Sequence, residues 1–199
     1  MRSLRTTRTI FALAVLAAAV ATLPSSATAT DTASGARASV RDVNGVFLGT
    51  VTLDSSSGKL FLTGRLSGLA AGFHGFHIHA VGICDPRAVD PTGAVVPFFT
   101  AGGHLNPGGT THGNHAGDLP SLKVSADGRA TAVTETSTVT LAQIFDADGA
   151  AIIIHAGPDN FANIPTRYSA AGVPGPDAAT LATGDSGART ACGVLRPVV

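Results

Sequence analysis

The stretch Gly72-Phe73-His74-Gly75-Phe76-His77-Ile78-His79 restricts the fold more than any other part of the chain. Phe76 and Ile78 alternate with His77 and His79, and side chains two apart on a β-strand share a face. One face can therefore enter an apolar core while two imidazoles stand together on the other. Two imidazoles fixed on a rigid strand are half of a site for a first-row transition metal.

The pattern on either side is β as well. Ser39–Val43 and Val46–Leu53 flank Asn44-Gly45, which predicts a hairpin with a type I′ turn. A second turn, Asp54–Lys59, leads into a strand over Leu60–Leu66. Further on, Ser121–Ser125 and Ala130–Thr134 flank Asp127-Gly128 and predict another hairpin. Ala151–His155 and Arg189–Leu195 complete the set. About eight strands with short turns and no amphipathic helix predict an all-β fold, an antiparallel sandwich or flattened barrel.

Residues 1–29 read as a signal peptide and not as part of the fold. Arg2, Arg5 and Arg8 precede an apolar run, Ile10–Leu23, and Ala27-Thr28-Ala29 is a small-x-small cleavage site. Pro24 and Ser25 end the run short of the ~20 residues a membrane span needs. No cysteine follows it to carry a lipid. The expectation is a secreted protein, extracellular or held in the cell envelope, with no membrane span after cleavage. Residues 30–36 read as a flexible leader and 37–199 as one domain. The whole chain has 13 basic and 13 acidic side chains, and cleavage would leave 10 against 13. Nothing in this balance resembles a nucleic-acid-binding surface.

Two segments, Val81–Leu119 and Ala156–Ala188, resist the regular pattern. Both are long, irregular and rich in Gly, Pro, Asn and Asp. Loops of that length inside a compact domain need something to hold them. One tie is the cysteine pair Cys84 and Cys192, which in an exported chain predicts a disulfide. It would close a loop worth about 4–5 kcal/mol in the chain-entropy account. The other tie is metal. His104, His112, His115 and Asp118 cluster in the first loop, and His155 ends a strand where the second begins. Two ions with four protein ligands each need eight positions. His77, His79, His104, His112, His115, Asp118 and His155 supply seven, unless one imidazole uses both nitrogens.

Six segments carry a family resemblance. They are Gly75–His79, Gly103-His104-Leu105-Asn106-Pro107, His112-Gly113, His115–Leu119, Ile154–Gly157 and Gly187–Val194. In order and spacing the chain resembles the copper/zinc superoxide dismutases in their secreted bacterial form. The resemblance runs over nearly all of residues 37–196. It implies an eight-stranded Greek-key β-sandwich, or flattened barrel, of immunoglobulin-like architecture with two long functional loops.

The same resemblance implies the roles. Copper would be held by His77, His79, His104 and His155, and zinc by His104, His112, His115 and Asp118. His104 is then the shared imidazole. Asp159 would hydrogen-bond a copper histidine and a zinc histidine. Arg189 would stand beside copper and guide a small anion, superoxide, which is disproportionated to dioxygen and hydrogen peroxide. His74 is left over and reads as structural. The family pairs subunits through different faces in different branches, so a homodimer is compatible with the sequence.

Other readings on the same residues fare worse. A copper-delivery protein or a sandwich that had lost its site would lack ligands or Arg189, and all are present. A zinc hydrolase would need an open zinc position and a nearby general base. Asp118 is already a ligand in this reading, and the sole glutamate, Glu135, falls away from the histidines.

Overall fold

The computed structural model describes residues 33–199. The expected signal peptide and the first residues of the leader lie outside this range. The chain forms twelve strands in order: β1 (Gly35–Asp42), β2 (Phe47–Ser56), β3 (Lys59–Leu66), β4 (Gly72–His74), β5 (Phe76–His79), β6 (Leu122–Val124), β7 (Ala130–Thr136), β8 (Ala151–His155), β9 (Ser169–Ala170), β10 (Val173–Pro174), β11 (Arg189–Val194) and β12 (Arg196–Val198). Two single-turn helices, α1 (Leu141–Ile144) and α2 (Thr180–Thr183), and a 3₁₀ turn at Phe99–Ala101 lie in the connections.

Eight strands form one curled antiparallel sheet, a half-barrel in the order β5-β8-β11-β1-β2-β3-β7, with β12 paired to β1. Alternation drives it. In β3 the side chains run strictly exposed, buried, exposed, with Leu60, Leu62 and Leu66 inward. Ala36, Ala38 and Val40 of β1, Leu53 of β2, Phe76 and Ile78 of β5, and Ile152 and Ile154 of β8 join them in one core. Full burial of each large aliphatic or aromatic chain stabilises the fold by about 1.5–3 kcal/mol. β8 is buried along its whole length because both of its faces are covered. Ile152 and Ile154 enter the main core, while Ala151 and Ile153 pack with Phe98, Ala101 and Cys192 on the opposite side. That is why this strand reads as a continuous apolar run.

Three local expectations change. The Asn44-Gly45 loop is not type I′, since Gly45 alone in it has positive φ, 80°. Asp42 Oδ1 accepts from the N–H groups of Asn44 and Val46, and the β1–β2 register shifts between Val40/Arg41, with Leu48 the extra residue. The two-residue turn with both central φ positive is instead Ser57-Gly58, at 52° and 75°. The segments around Asp127-Gly128 form a corner, not a hairpin ladder. β6 pairs with β4 and β7 with β3, so β12 and not β6 is the eighth strand of the main sheet.

The outer face of the sheet positions the site. His77, Ile153, Cys192 and Arg41 follow one another in register across β5, β8, β11 and β1. β5 is the terminal strand, and the first long loop covers its free edge. Leu105 N–H donates to Ile78 O (2.8 Å), and Ile78 N–H donates to Gly117 O (2.9 Å). Isolated bridges pair His79 with His104 and His77 with Asp118. Gly117 must lack a side chain, because a Cβ there would meet the Ile78 carbonyl oxygen. The Cys84–Cys192 disulfide pins the same loop to β11.

Candidate metal centre

His77 and His79 project from β5 on the face away from the core and are both almost fully buried. His155 ends β8, its N–H donating to Gly75 O (2.9 Å). The edge-covering loop brings in His104, His112, His115 and Asp118. Six of the seven sequence histidines thus gather in one buried cluster, with adjacent ring centroids 4.0–5.6 Å apart.

Acceptor oxygens around the cluster fix which nitrogen of each ring is free. His79 Nδ1 donates to Gly102 O (2.9 Å) and His155 Nδ1 to Gly187 O (3.0 Å). His77 Nε2 donates to Asp159 Oδ2 (2.7 Å), and His112 Nε2 to Asp159 Oδ1 (2.8 Å). Each ring is left with one nitrogen turned inward. Two of these, His77 Nδ1 and His112 Nδ1, are buried with no hydrogen-bond partner. The lone pairs of His79 Nε2 and His155 Nε2 stand 3.4 Å apart. Such an arrangement costs free energy unless a cation lies between the nitrogens.

The inward atoms fall into two sets. Donor atoms of His77, His79, His104 and His155 lie within 4.8 Å of one another. In the second set, Asp118 Oδ1 is 2.9 Å from His104 Nδ1 and 3.3 Å from both His112 Nδ1 and His115 Nδ1. His115 Nδ1 is also 3.3 Å from His104 Nδ1. Metal–ligand bonds of ~2.0 Å in a tetrahedron require ligand–ligand edges of ~3.3 Å, so this set has the dimensions of a zinc site. His77 also comes within 4.8 Å of His104, His112 and Asp118. His115 makes the shorter approaches, 3.3 Å to both Asp118 Oδ1 and His104 Nδ1. Asp118 is aimed by its other oxygen, which accepts from the N–H groups of Gly113 (2.7 Å) and His115 (3.0 Å).

The electrostatics suit cations. Burial lowers the pKa of His77 and lowers that of His79 further. It pushes His155 down to about 3, so all three rings are neutral at pH 7. Burial alone would raise Asp118 and Asp159. Hydrogen bonds from His104 and His112 to Asp118, and from His112 and His77 to Asp159, outweigh it and hold both carboxyls far below their ordinary range. Burial opposes protonation of His112 too, but its two carboxylate neighbours raise it to about 9.

Arg189 spans the site and the disulfide loop. Its guanidinium donates to Phe98 O (2.5 Å) and Gly102 O (2.6 Å). Phe98 offers that carbonyl from a left-handed backbone, φ 60°, a strained conformation for a bulky residue. Gly102 O thus receives both Arg189 and His79. His74 lies outside the cluster, its ring nitrogens facing His155 O (2.8 Å) and Ala70 O (2.9 Å).

The residues that sequence reasoning missed are mainly backbone groups. The carbonyls of Gly102 and Gly187 orient two rings, and carbonyl groups leave no mark in a sequence. Gly184 is the other. A Cβ there would stand 2.0 Å from Asp159 Oδ1 and 2.2 Å from His112 Nε2.

This fold and this donor set define a two-metal β-sandwich, and the comparisons place it in a family. The family model for copper/zinc superoxide dismutase matches residues 47–195, and the chain belongs to that family. It is an oxidoreductase that acts on superoxide, with copper and zinc as its cofactors. It is 44 % identical over 182 residues to the Cu-Zn superoxide dismutase of Mycolicibacterium paratuberculosis, covering 86 % of this chain and 80 % of that one. It is 47 % identical over 158 residues to the enzyme of Mycobacterium tuberculosis, covering 76 % and 66 %. Among solved structures, the Cu/Zn superoxide dismutase from Brucella abortus superposes with a TM-score of 0.60 at 30 % identity, covering 80 % of this chain and 98 % of that one.

Proposed function

We propose that His77, His79, His104 and His155 hold copper and that His104, His112, His115 and Asp118 hold zinc, with His104 serving both. The observation that carries this reading is the pair of orphaned inward nitrogens, His77 Nδ1 and His112 Nδ1, one in each set, both on rings whose other nitrogen is tied to Asp159. Imidazole nitrogens suit copper, and three nitrogens with one carboxylate suit zinc. Bound copper supplies the one-electron chemistry that oxidises one superoxide to dioxygen and reduces another to hydrogen peroxide.

The protein's own groups do the rest. Arg189 spends two of its five N–H donors on Phe98 and Gly102 and turns a fixed positive charge toward the copper set, where it binds and orients a small anion. His104 keeps Nδ1 in the Asp118 cluster while its other nitrogen can carry a proton toward the reacting anion. Asp159 holds the tautomers of His77 and His112 and couples the two metal sets through one carboxylate. Gly102 fixes His79 and Arg189 relative to each other.

Metal titration of the apoprotein tests the assignment. The reading expects one copper and one zinc per chain, and a fall in both after His104→Ala. Loss of one metal alone would remove the shared imidazole from the account.

The same reading includes export. The charged start, apolar run and Ala27-Thr28-Ala29 of the sequence support it, and among the described residues no helix is long and apolar enough to cross a membrane. The mass of the protein recovered outside the cell reads the cleavage point directly. A mature chain starting near Thr30 supports the reading, and an intact Met1 terminus contradicts it.

A further inference from the structure

We propose that the outer face of β1, β2, β3 and β12 is a docking site for an extended acidic polysaccharide. Arg37 on β1 lies directly opposite Arg196 on β12. Like charges so placed repel each other and destabilise the pair. Arg65 on β3 extends the cationic row, set off by one step through Thr50 and Thr52 of β2. All three side chains are exposed. Among the described residues none of them has an ion pair or a side-chain hydrogen bond. Arg41, on the same face, donates to Gly45 O and stacks over Phe47, so no carboxylate neutralises it either. The acids nearby are engaged or apart. Asp42 is spent on the loop N–H groups, Glu135 on Lys59, and Asp54 pairs with none of the arginines. The face is therefore cationic in a chain whose overall formal charge is zero.

The shape selects the ligand. Arg37 and Arg65 rim a depression of about 370 Å³ floored by the short side chains of Thr50, Thr52, Thr63 and Thr131. From Arg196 to Arg65 is three strand intervals, ~14 Å at ~4.8 Å each. One small anion cannot reach both ends, but a polymer with a charge on successive units can. Threonine hydroxyls between the guanidiniums can exchange hydrogen bonds with sugar hydroxyls, and the guanidiniums pair with carboxylate or sulfate groups. No aromatic ring lines the depression, and the exposed Phe47 and Phe61 lie on the same face outside it, with Phe47 covered by Arg41, so single-stranded nucleic acid, which stacks its bases on such rings, is the occupant the test sets against the polymer.

The test is binding of the metal-loaded protein to immobilised dextran sulfate and polygalacturonate, with neutral dextran as reference. Saturable, salt-sensitive binding to the two acidic polymers and none to neutral dextran is expected. The variant Arg37→Ser/Arg65→Ser/Arg196→Ser should bind at least ~10-fold more weakly at fixed salt, since each lost contact lowers affinity multiplicatively. The charge-matched variant Arg87→Ser/Lys123→Ser/Arg167→Ser, whose three residues lie off β1, β2, β3 and β12, should change by less than ~3-fold. Unchanged copper and zinc contents certify that each variant is folded. The proposal is overturned by no binding of the unmodified protein to either polymer, by equal losses in the two variants, or by binding to phosphatidylglycerol vesicles or single-stranded DNA in place of the polymers.

Discussion

Gly184 and Asp159 are packed so closely that a Cβ on the glycine would stand 2.0 Å from the carboxylate's Oδ1. The glycine closes α2 with a left-handed backbone, φ 62°, and its carbonyl accepts from Asn160 N–H (3.0 Å). The second long loop is thereby pressed against the carboxylate that links His77 to His112.

Gly184→Ala should therefore act at the metals. The left-handed backbone costs ~1–2 kcal/mol for alanine, and displacing Asp159 leaves His112 Nε2 and His77 Nε2 without their acceptor. Weaker zinc retention in a chelator titration and a lower melting temperature are expected. Wild-type zinc retention would show that the loop relaxes around the added methyl group.

Asp159→Asn preserves shape but has one acceptor oxygen where two are needed. One histidine must then lose its orienting bond. Zinc or copper affinity should fall ~10–100-fold, the usual effect of removing a group that orients a ligand. Competition with a chelator of known affinity measures it, and an unchanged affinity for both metals would remove Asp159 from the coupling role.

The metal-free protein should have a stability maximum between two limbs. His77, His79 and His155 have folded pKa values below their unfolded value of about 6.5. Their contribution is present above pH ~6.5 and is lost as pH falls, for His155 down to about 3. The depressed Asp118 and Asp159 extend the acid limb below pH ~4. His112 has the opposite sign. Raised to about 9, it contributes fully below pH ~6.5 and the contribution is lost as pH rises through about 9. Urea midpoints of apoprotein at pH 4, 7.5 and 10 should therefore peak in the middle. On the proposed zinc assignment, metal loading should abolish the alkaline limb, because Nδ1 of His112 would then hold zinc and no proton. A midpoint that rises steadily to pH 10 in the apoprotein would contradict this picture.

Much of this site could be read from the sequence, and the reason is the chemistry of its parts. Histidines at strand ends and in a Gly-rich loop are conspicuous, and His77 and His79 share a face by strand periodicity alone. The alternation of β3 and the apolar run of β8 likewise gave their strands. What stayed hidden depends on contacts distant in sequence. No local pattern tells that β6 leaves its turn partner to pair with β4, or that β12 joins β1. The Asn44-Gly45 dipeptide misled because Asp42 captures the loop N–H groups and Asn44 stays out of the left-handed region. The carbonyls of Phe98, Gly102 and Gly187 are invisible in a one-letter code, yet they orient Arg189, His79 and His155.

Arg189→Ala should slow superoxide removal ~10-fold or more at low ionic strength, in the range attributed to electrostatic focusing, while copper content is retained. It should also loosen the loop at Phe98 and Gly102, whose carbonyls lose a charged donor worth about 1.5–3 kcal/mol each. Arg189→Lys separates the two effects, since it keeps the charge but cannot reach both carbonyls in the same fork. Rates measured against ionic strength distinguish them: loss of guidance removes the salt dependence, and loss of positioning leaves it.

Reduction of Cys84–Cys192, which are 108 residues apart, should destabilise the protein by up to about 4–5 kcal/mol. Because the disulfide anchors the loop that carries Phe98 and Gly102, activity should fall before unfolding is complete. Full activity in the Cys84→Ser/Cys192→Ser variant would show that Arg189 is held without it.

The most direct measurement is the decay of a superoxide pulse with purified protein, metal-free, loaded with zinc alone, and loaded with copper and zinc. Fast catalytic decay is expected only in the copper-loaded form, approaching the diffusional ceiling near 10⁸–10⁹ M⁻¹s⁻¹ that superoxide dismutases reach. Stoichiometric copper at the His77–His79–His155 set with decay no faster than in its absence would contradict it.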